Sequence, residues 1–146
     1  MKSRNGIDAM AMNGDAARRA RCVEALWGRF EARDWAGARQ LFSDTATLTW
    51  HSSGERFLEA DAIIRVNAIY PEGWRIRTVE VNPLLDGRIH SVVEVTHGAQ
   101  RFLANSLFRF DAELIAEVHE YWATVEAPPA WRTAAAIGAY ERLEPR

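Results

Sequence analysis

The order of elements in this sequence predicts an α+β domain, with helices on one face of a curved antiparallel sheet. Three observations carry that reading. Apolar residues recur at helical spacing through about residue 70, interrupted by one short strand. After Gly73 the apolar period changes to two, the alternation of half-buried strands. Turn signals at His97-Gly98 and Asp111-Ala112 then divide β-forming runs closely enough for hairpins.

Taken in order, residues 1–14 read as a flexible leader and residues 15–146 as a single domain. Asp15 is a plausible N-cap for a first helix to about Arg33, with Val23, Leu26, Trp27 and Phe30 forming one apolar stripe. Asp34 can cap a second helix through Phe42. Residues 46–50 alternate and form a strand that ends at Trp50, and residues 51–54 form a loop. Glu59 to Tyr70 reads as a third helix, with Ile63, Val66 and Tyr70 on one face, Asn67 beside them and Pro71 as its stop. Strands follow at 74–81, 89–96, 100–110 and 113–124. Pro128-Pro129 breaks the chain, and Trp131 to Leu143 is expected to be a short helix packed on the domain, with Trp131 plugging a surface groove.

Composition narrows the function classes. The 18 basic residues (one Lys, 17 Arg) nearly balance 20 acidic ones, for a net charge of −2. That balance argues against a nucleic-acid partner or an anionic membrane surface. No run of about 20 apolar residues is present, so no transmembrane helix is expected. No apolar segment follows Lys2 and Arg4, so no secretion signal is expected and the compartment reads as cytoplasmic. With one cysteine, Cys22, no internal disulfide can form. The common phosphate-loop, dinucleotide, zinc-protease and esterase motifs are missing, and the spacing of His51, His90, His97 and His119 makes no metal-ligand motif. No metal and no cofactor is therefore expected.

Two segments resemble a known family. Residues Glu31 to Gly37 with Leu41 to Leu48, and Phe108 to Asp111 with Ile115 and Glu120-Tyr121-Trp122, are similar to the nuclear-transport-factor-2-like (NTF2-like) superfamily. That group includes ketosteroid isomerases and SnoaL-like cyclases, and the resemblance covers about residues 15–125. It implies a cone-shaped cystatin-like α+β barrel around three N-terminal helices, with a conical hydrophobic pocket for a small apolar molecule. It also implies a homodimer through the outer sheet face, where His90 and His119 are expected. The family hosts isomerases, dehydratases, cyclases, hydrolases and members without chemistry, so the fold does not settle the function. On the ketosteroid isomerase pattern, Trp50 stands at the general-base Asp, Ser106 at the proton-donating Asp, and Leu26 near the helix-one Tyr. None of those three catalytic groups is kept, and proton abstraction beside a carbonyl needs both base and donors.

Strand parity then sorts the side chains. In the last strand Val118, Glu120 and Trp122 share a face, and Glu117, His119 and Tyr121 share the other. The family pattern puts the Trp122 face inside. A two-residue His97-Gly98 loop would pair Glu94 with Arg101, Val92 with Leu103 and His90 with Asn105, turning Ser91, Ser106 and Phe108 inward. A three-residue loop would instead bring His90 and Glu94 inward. The candidate catalytic residues are Glu120, a carboxylate among apolar walls, and His51 at the pocket rim. Trp50, Asn67, Ser106, Phe108 and Trp122 are the candidate ligand-binding residues. Glu120 and Asn67 each have a purely structural alternative, a buried partner for the first and a backbone cap for the second.

Overall fold

The computed structural model describes the backbone of residues 2–143 and the side chains of residues 14–143. Two helices come first, α1 (Lys2–Glu31) and α2 (Trp35–Arg39). They are followed by β1 (Phe42–Trp50), β2 (Glu55–Leu58) and α3 (Ala60–Ala68). Four strands complete the sheet: β3 (Trp74–Pro83), β4 (Ile89–His97), β5 (Gln100–Asp111) and β6 (Leu114–Thr124). A one-turn helix, α4 (Ala134–Ile137), follows. The strands form one open sheet in the order β2-β1-β6-β5-β4-β3. All pairings are antiparallel except β1 with β6.

The expected α+β order is present, with differences at the boundaries. Asp15 does not cap α1. The helix starts at Lys2, and Asp15 instead pairs with Arg18 a turn later. Ala9, Met10, Ala11 and Met12 are strong helix formers, so the helix needs no cap at Asp15. Asp34 does cap α2, accepting from the Gly37 amide at 2.9 Å. The four-residue strand β2 lies in a stretch where no strand was expected, because it is too short to show alternation.

The β4–β5 turn corrects the expected hairpin. Its two loop residues are Gly98 and Ala99, so His97 pairs with Gln100, Glu94 with Leu103, Val92 with Asn105 and His90 with Leu107. Gly98 has φ +59, the left-handed geometry that such two-residue turns need at their first loop position. Each partner moves by two residues, so no side chain changes face. Glu94 and Arg101 still meet diagonally at 2.6 Å.

The core lies between α1 and the sheet. Val23, Leu26, Trp27 and Phe30 of α1 are buried against Ile89, Val93, Phe108 and Val118. The Trp27 and Phe108 rings make a T-shaped contact with centroids 6.2 Å apart. The C-terminal expectation fails: α4 buries none of its residues, and Trp131 is 74% exposed rather than seated in a groove. A single turn after two prolines has too few hydrogen bonds to order itself, and Gly138 at φ +96 ends it. Among the described residues, no helix is long and apolar enough to cross a membrane.

Candidate functional site

A cavity of about 440 Å³ opens between α1, α3 and the inner face of the sheet. Its walls come from almost every element: Trp27 on α1, Trp50 on β1, Asn67 on α3, Trp74 on β3, Phe102 on β5 and Trp122 on β6. Strand pairing builds one polar rung across it. Trp50 of β1 pairs with Glu120 of β6, Glu120 with Ser106 of β5, and Ser106 with Ser91 of β4. Parity then turns all four side chains inward.

Glu120 is the chemical centre of that rung. Only 5% of it is exposed, yet it lines the cavity. Its Oε1 accepts from Trp50 Nε1 at 2.8 Å, and its Oε2 accepts from Ser106 Oγ at 2.6 Å. Among the described residues, no Lys, Arg or His pairs with it. Burial pushes the Glu120 carboxyl above the usual carboxylate range, and the Ser106 and Trp50 hydrogen bonds pull it partly back. The indole N–H can only donate, so Oε1 is the acceptor oxygen and the acid proton belongs on Oε2. The Ser106 hydroxyl can donate to that oxygen or accept from it, so it serves both protonation states.

The surroundings hold this group in place. The Trp50 ring packs in T-shaped contacts with Phe57 and Trp122, at centroid distances of 4.8 and 6.3 Å. The loop after β1 is stitched to β6: the His51 amide donates to the Glu120 carbonyl at 3.1 Å, and Ser52 Oγ donates to the Trp122 carbonyl at 3.1 Å. At the other end of the rung, Trp27 Nε1 donates to Ser91 Oγ at 3.0 Å.

The structure brings some of the expected residues together and separates others. Trp50, Asn67, Glu120 and Trp122 line the cavity, and Ser106 reaches it through Glu120. Asn67 Nδ2 donates to the Ile63 carbonyl at 2.8 Å, the backbone cap, while the same side chain lines the cavity. Phe108 is 1% exposed and belongs to the core behind the cavity, since its position packs against α1. His51 is outside the cavity. It hydrogen-bonds His119 at 2.8 Å and stacks on Tyr121 at 4.5 Å, because the turn after Trp50 carries it to the outer side of the sheet. Further wall residues lie outside the candidate set. Tyr70 ends the apolar face expected for α3 beside Asn67, and Trp74 starts the strand pattern beyond the Pro71 stop, where no period assigned it to a cavity. Among the described residues, no group of three potential metal ligands forms.

This sheet order, with helices on its inner face, is the NTF2-like fold. Solved structures of similar shape agree. A candidate ketosteroid isomerase from Kribbella flavida DSM 17836 matches with a TM-score of 0.76 at 18% identity, over 88% of this chain and 92% of that one. An NTF2-like protein of unknown function from Burkholderia xenovorans LB400 matches at 0.70 and 14%, over 88% and 97%. An LEH-like epoxide hydrolase of M. tuberculosis matches at 0.59 and 15%, over 73% and 84%. No protein-family model and no curated protein matches the sequence.

Proposed function

We propose that this protein is a cofactor-independent acid/base enzyme acting on a small, largely apolar molecule in the inner cavity, of the isomerase, dehydratase, cyclase or hydrolase class. The observation that carries this is Glu120: a carboxyl on the cavity wall, held by two neutral donors and, among the described residues, by no countercharge. A carboxyl in such a setting titrates closer to neutral pH and can give up or take a proton there. Glu120 transfers the proton, Trp50 and Ser106 aim its two oxygens, and Asn67 and Trp122 contact the ligand. Solved neighbours of the same fold bear isomerase and epoxide hydrolase names, which fits a cavity used for chemistry on small molecules.

The hydrogen bonds of Glu120 also favour a second reading. They engage both carboxyl oxygens, as they would in a non-catalytic binding module. The experiment is a turnover screen of small ketones, epoxides and alcohols, identified first by mass spectrometry of co-purified ligand, on wild type and Glu120→Gln. Loss of turnover by about 100-fold or more with ligand still bound supports the enzyme. Unchanged turnover in the variant removes Glu120 from the chemistry, and binding without turnover in either protein supports the module.

A further inference from the structure

The cavity wall has a charge character that acid/base chemistry does not by itself require. Trp27, Trp50, Tyr70, Trp74, Phe102 and Trp122 present aromatic rings to it. Its charge-bearing members are Glu120 inside and Glu55, which is exposed at the opening. Among the described residues, no Lys, Arg or His lines it, in a protein that carries 17 Arg. Ring faces carry negative quadrupole density and attract cations. One ring of the wall already does so within the fold: the Arg33 guanidinium carbon sits 3.3 Å from the Trp74 ring centroid. An anionic ligand would meet two carboxyl groups and, among the described residues of the wall, no cation to neutralise it; the buried, unpartnered indole N–H groups of Trp74 and Trp122 are neutral donors only. A neutral apolar ligand gains only buried area.

We infer that the cavity selects a small organic cation, an apolar body bearing an ammonium group, with its charge set against Glu120 and the rings of Trp50 and Trp122. The apolar body packs toward Val66, Ile76 and Val95, which complete the wall. A volume near 440 Å³ is within the usual range for small-molecule sites. This deepens the proposed function and rests on its use of the cavity as the ligand site.

The inference has a proton signature. A bound ammonium favours the charged form of Glu120, which burial otherwise disfavours. When an ammonium ion enters while Glu120 is protonated, the Oε2–H bond breaks and that proton passes to buffer. The ammonium keeps its own protons. Tyr70 and Glu55 are the other titratable groups on the wall.

The test is a titration of the full chain with three matched probes: benzylammonium, benzyl alcohol and benzoate. Tryptophan fluorescence follows binding, and calorimetry in two buffers of different ionisation enthalpy counts protons. Benzylammonium is expected to bind at least about tenfold more tightly than the alcohol, with benzoate weakest. It should release a proton that the alcohol does not, with the release fading as pH rises and Glu120 ionises unaided. In Glu120→Gln the ammonium preference should shrink to about threefold or less, leaving the ring faces as its source. If that variant does not fold, the proton count on wild type decides alone. Alcohol or benzoate binding as tightly as the ammonium overturns the cation inference and leaves the cavity reading standing. If none of the three binds, both fall together.

Discussion

Glu117 and Glu120 stand three residues apart on β6, and parity places them on opposite faces of one sheet. Glu117 is partly exposed and sits beside His119 and Arg109, which hold its carboxyl below the usual range. Glu120 is buried against Trp50 and Ser106, and desolvation holds its carboxyl above that range. The residue type and the strand are the same, so the difference belongs to the face alone. A carboxylate among cations in water is fixed as a charge. A carboxyl among neutral donors in an apolar wall is left able to exchange its proton.

Removing the inner donors should break this contrast most strongly. Trp50→Phe and Ser106→Ala each leave one Glu120 oxygen buried without its partner, at an expected cost of about 1–3 kcal/mol. Urea unfolding measures it. A cost near zero in both would mean that the rung does not hold Glu120 and that water or a ligand satisfies it instead.

The pH dependence of stability should sharpen the contrast, because the two groups act on opposite sides of pH 4.5, their ordinary value. Folded Glu120 keeps its proton above pH 4.5 when the unfolded chain has lost it. Stability therefore falls as pH rises from 4.5 through the folded Glu120 value, and is flat above it. Folded Glu117 resists protonation below pH 4.5, so its contribution is present above 4.5 and is lost as pH falls through its folded value. Denaturant midpoints from pH 2 to 9 should show Glu120→Gln flattening the upper limb alone. Glu117→Gln should only make the acid limb shallower, since Glu94, Glu72 and Asp86 are lowered too. A variant that flattens the other limb would reverse the assignment.

The smallest effect is expected on the outer face. His51→Ala removes an exposed hydrogen bond to His119 and a stack on Tyr121, and should change stability by no more than about 0.5 kcal/mol. A loss above about 1.5 kcal/mol would mean that the outer cluster of His51, His119 and Glu117 is a packed interior rather than a solvated face.

Much of this was legible from residue order. The helical stripe of Val23, Leu26, Trp27 and Phe30, the Asp34 cap and the grouping of Val118, Glu120 and Trp122 follow from local spacing, and all three are found in the structure. The β4–β5 hairpin shows how robust that information is. Its turn was misplaced by one residue, and Ser91, Ser106 and Phe108 still face inward because the error preserved parity. The site was less legible. His51 follows Trp50 directly, so parity opposes it to the inward Trp50, and the structure places it outside beside His119 rather than at the expected pocket rim. Trp74 opens the strand pattern just after the helical one stops, so no periodicity assigned it to a wall.

Residue order by itself determined the class of the fold and the grouping of strand side chains by face, while the family resemblance turned the face of Glu120 toward the interior. The class and the grouping depend on periods of 3.6 and 2 that any short window reveals. Only the tertiary structure decided that Trp50 and Ser106 bind the two oxygens of Glu120, and that among the described residues no cation does. The Ser106 contact crosses the β5–β6 hairpin, 14 residues apart, while the Trp50 contact crosses the β1–β6 parallel pairing, which joins residues 70 positions apart. The register of such a long-range pair is set by the packing of the whole sheet rather than by any local signal.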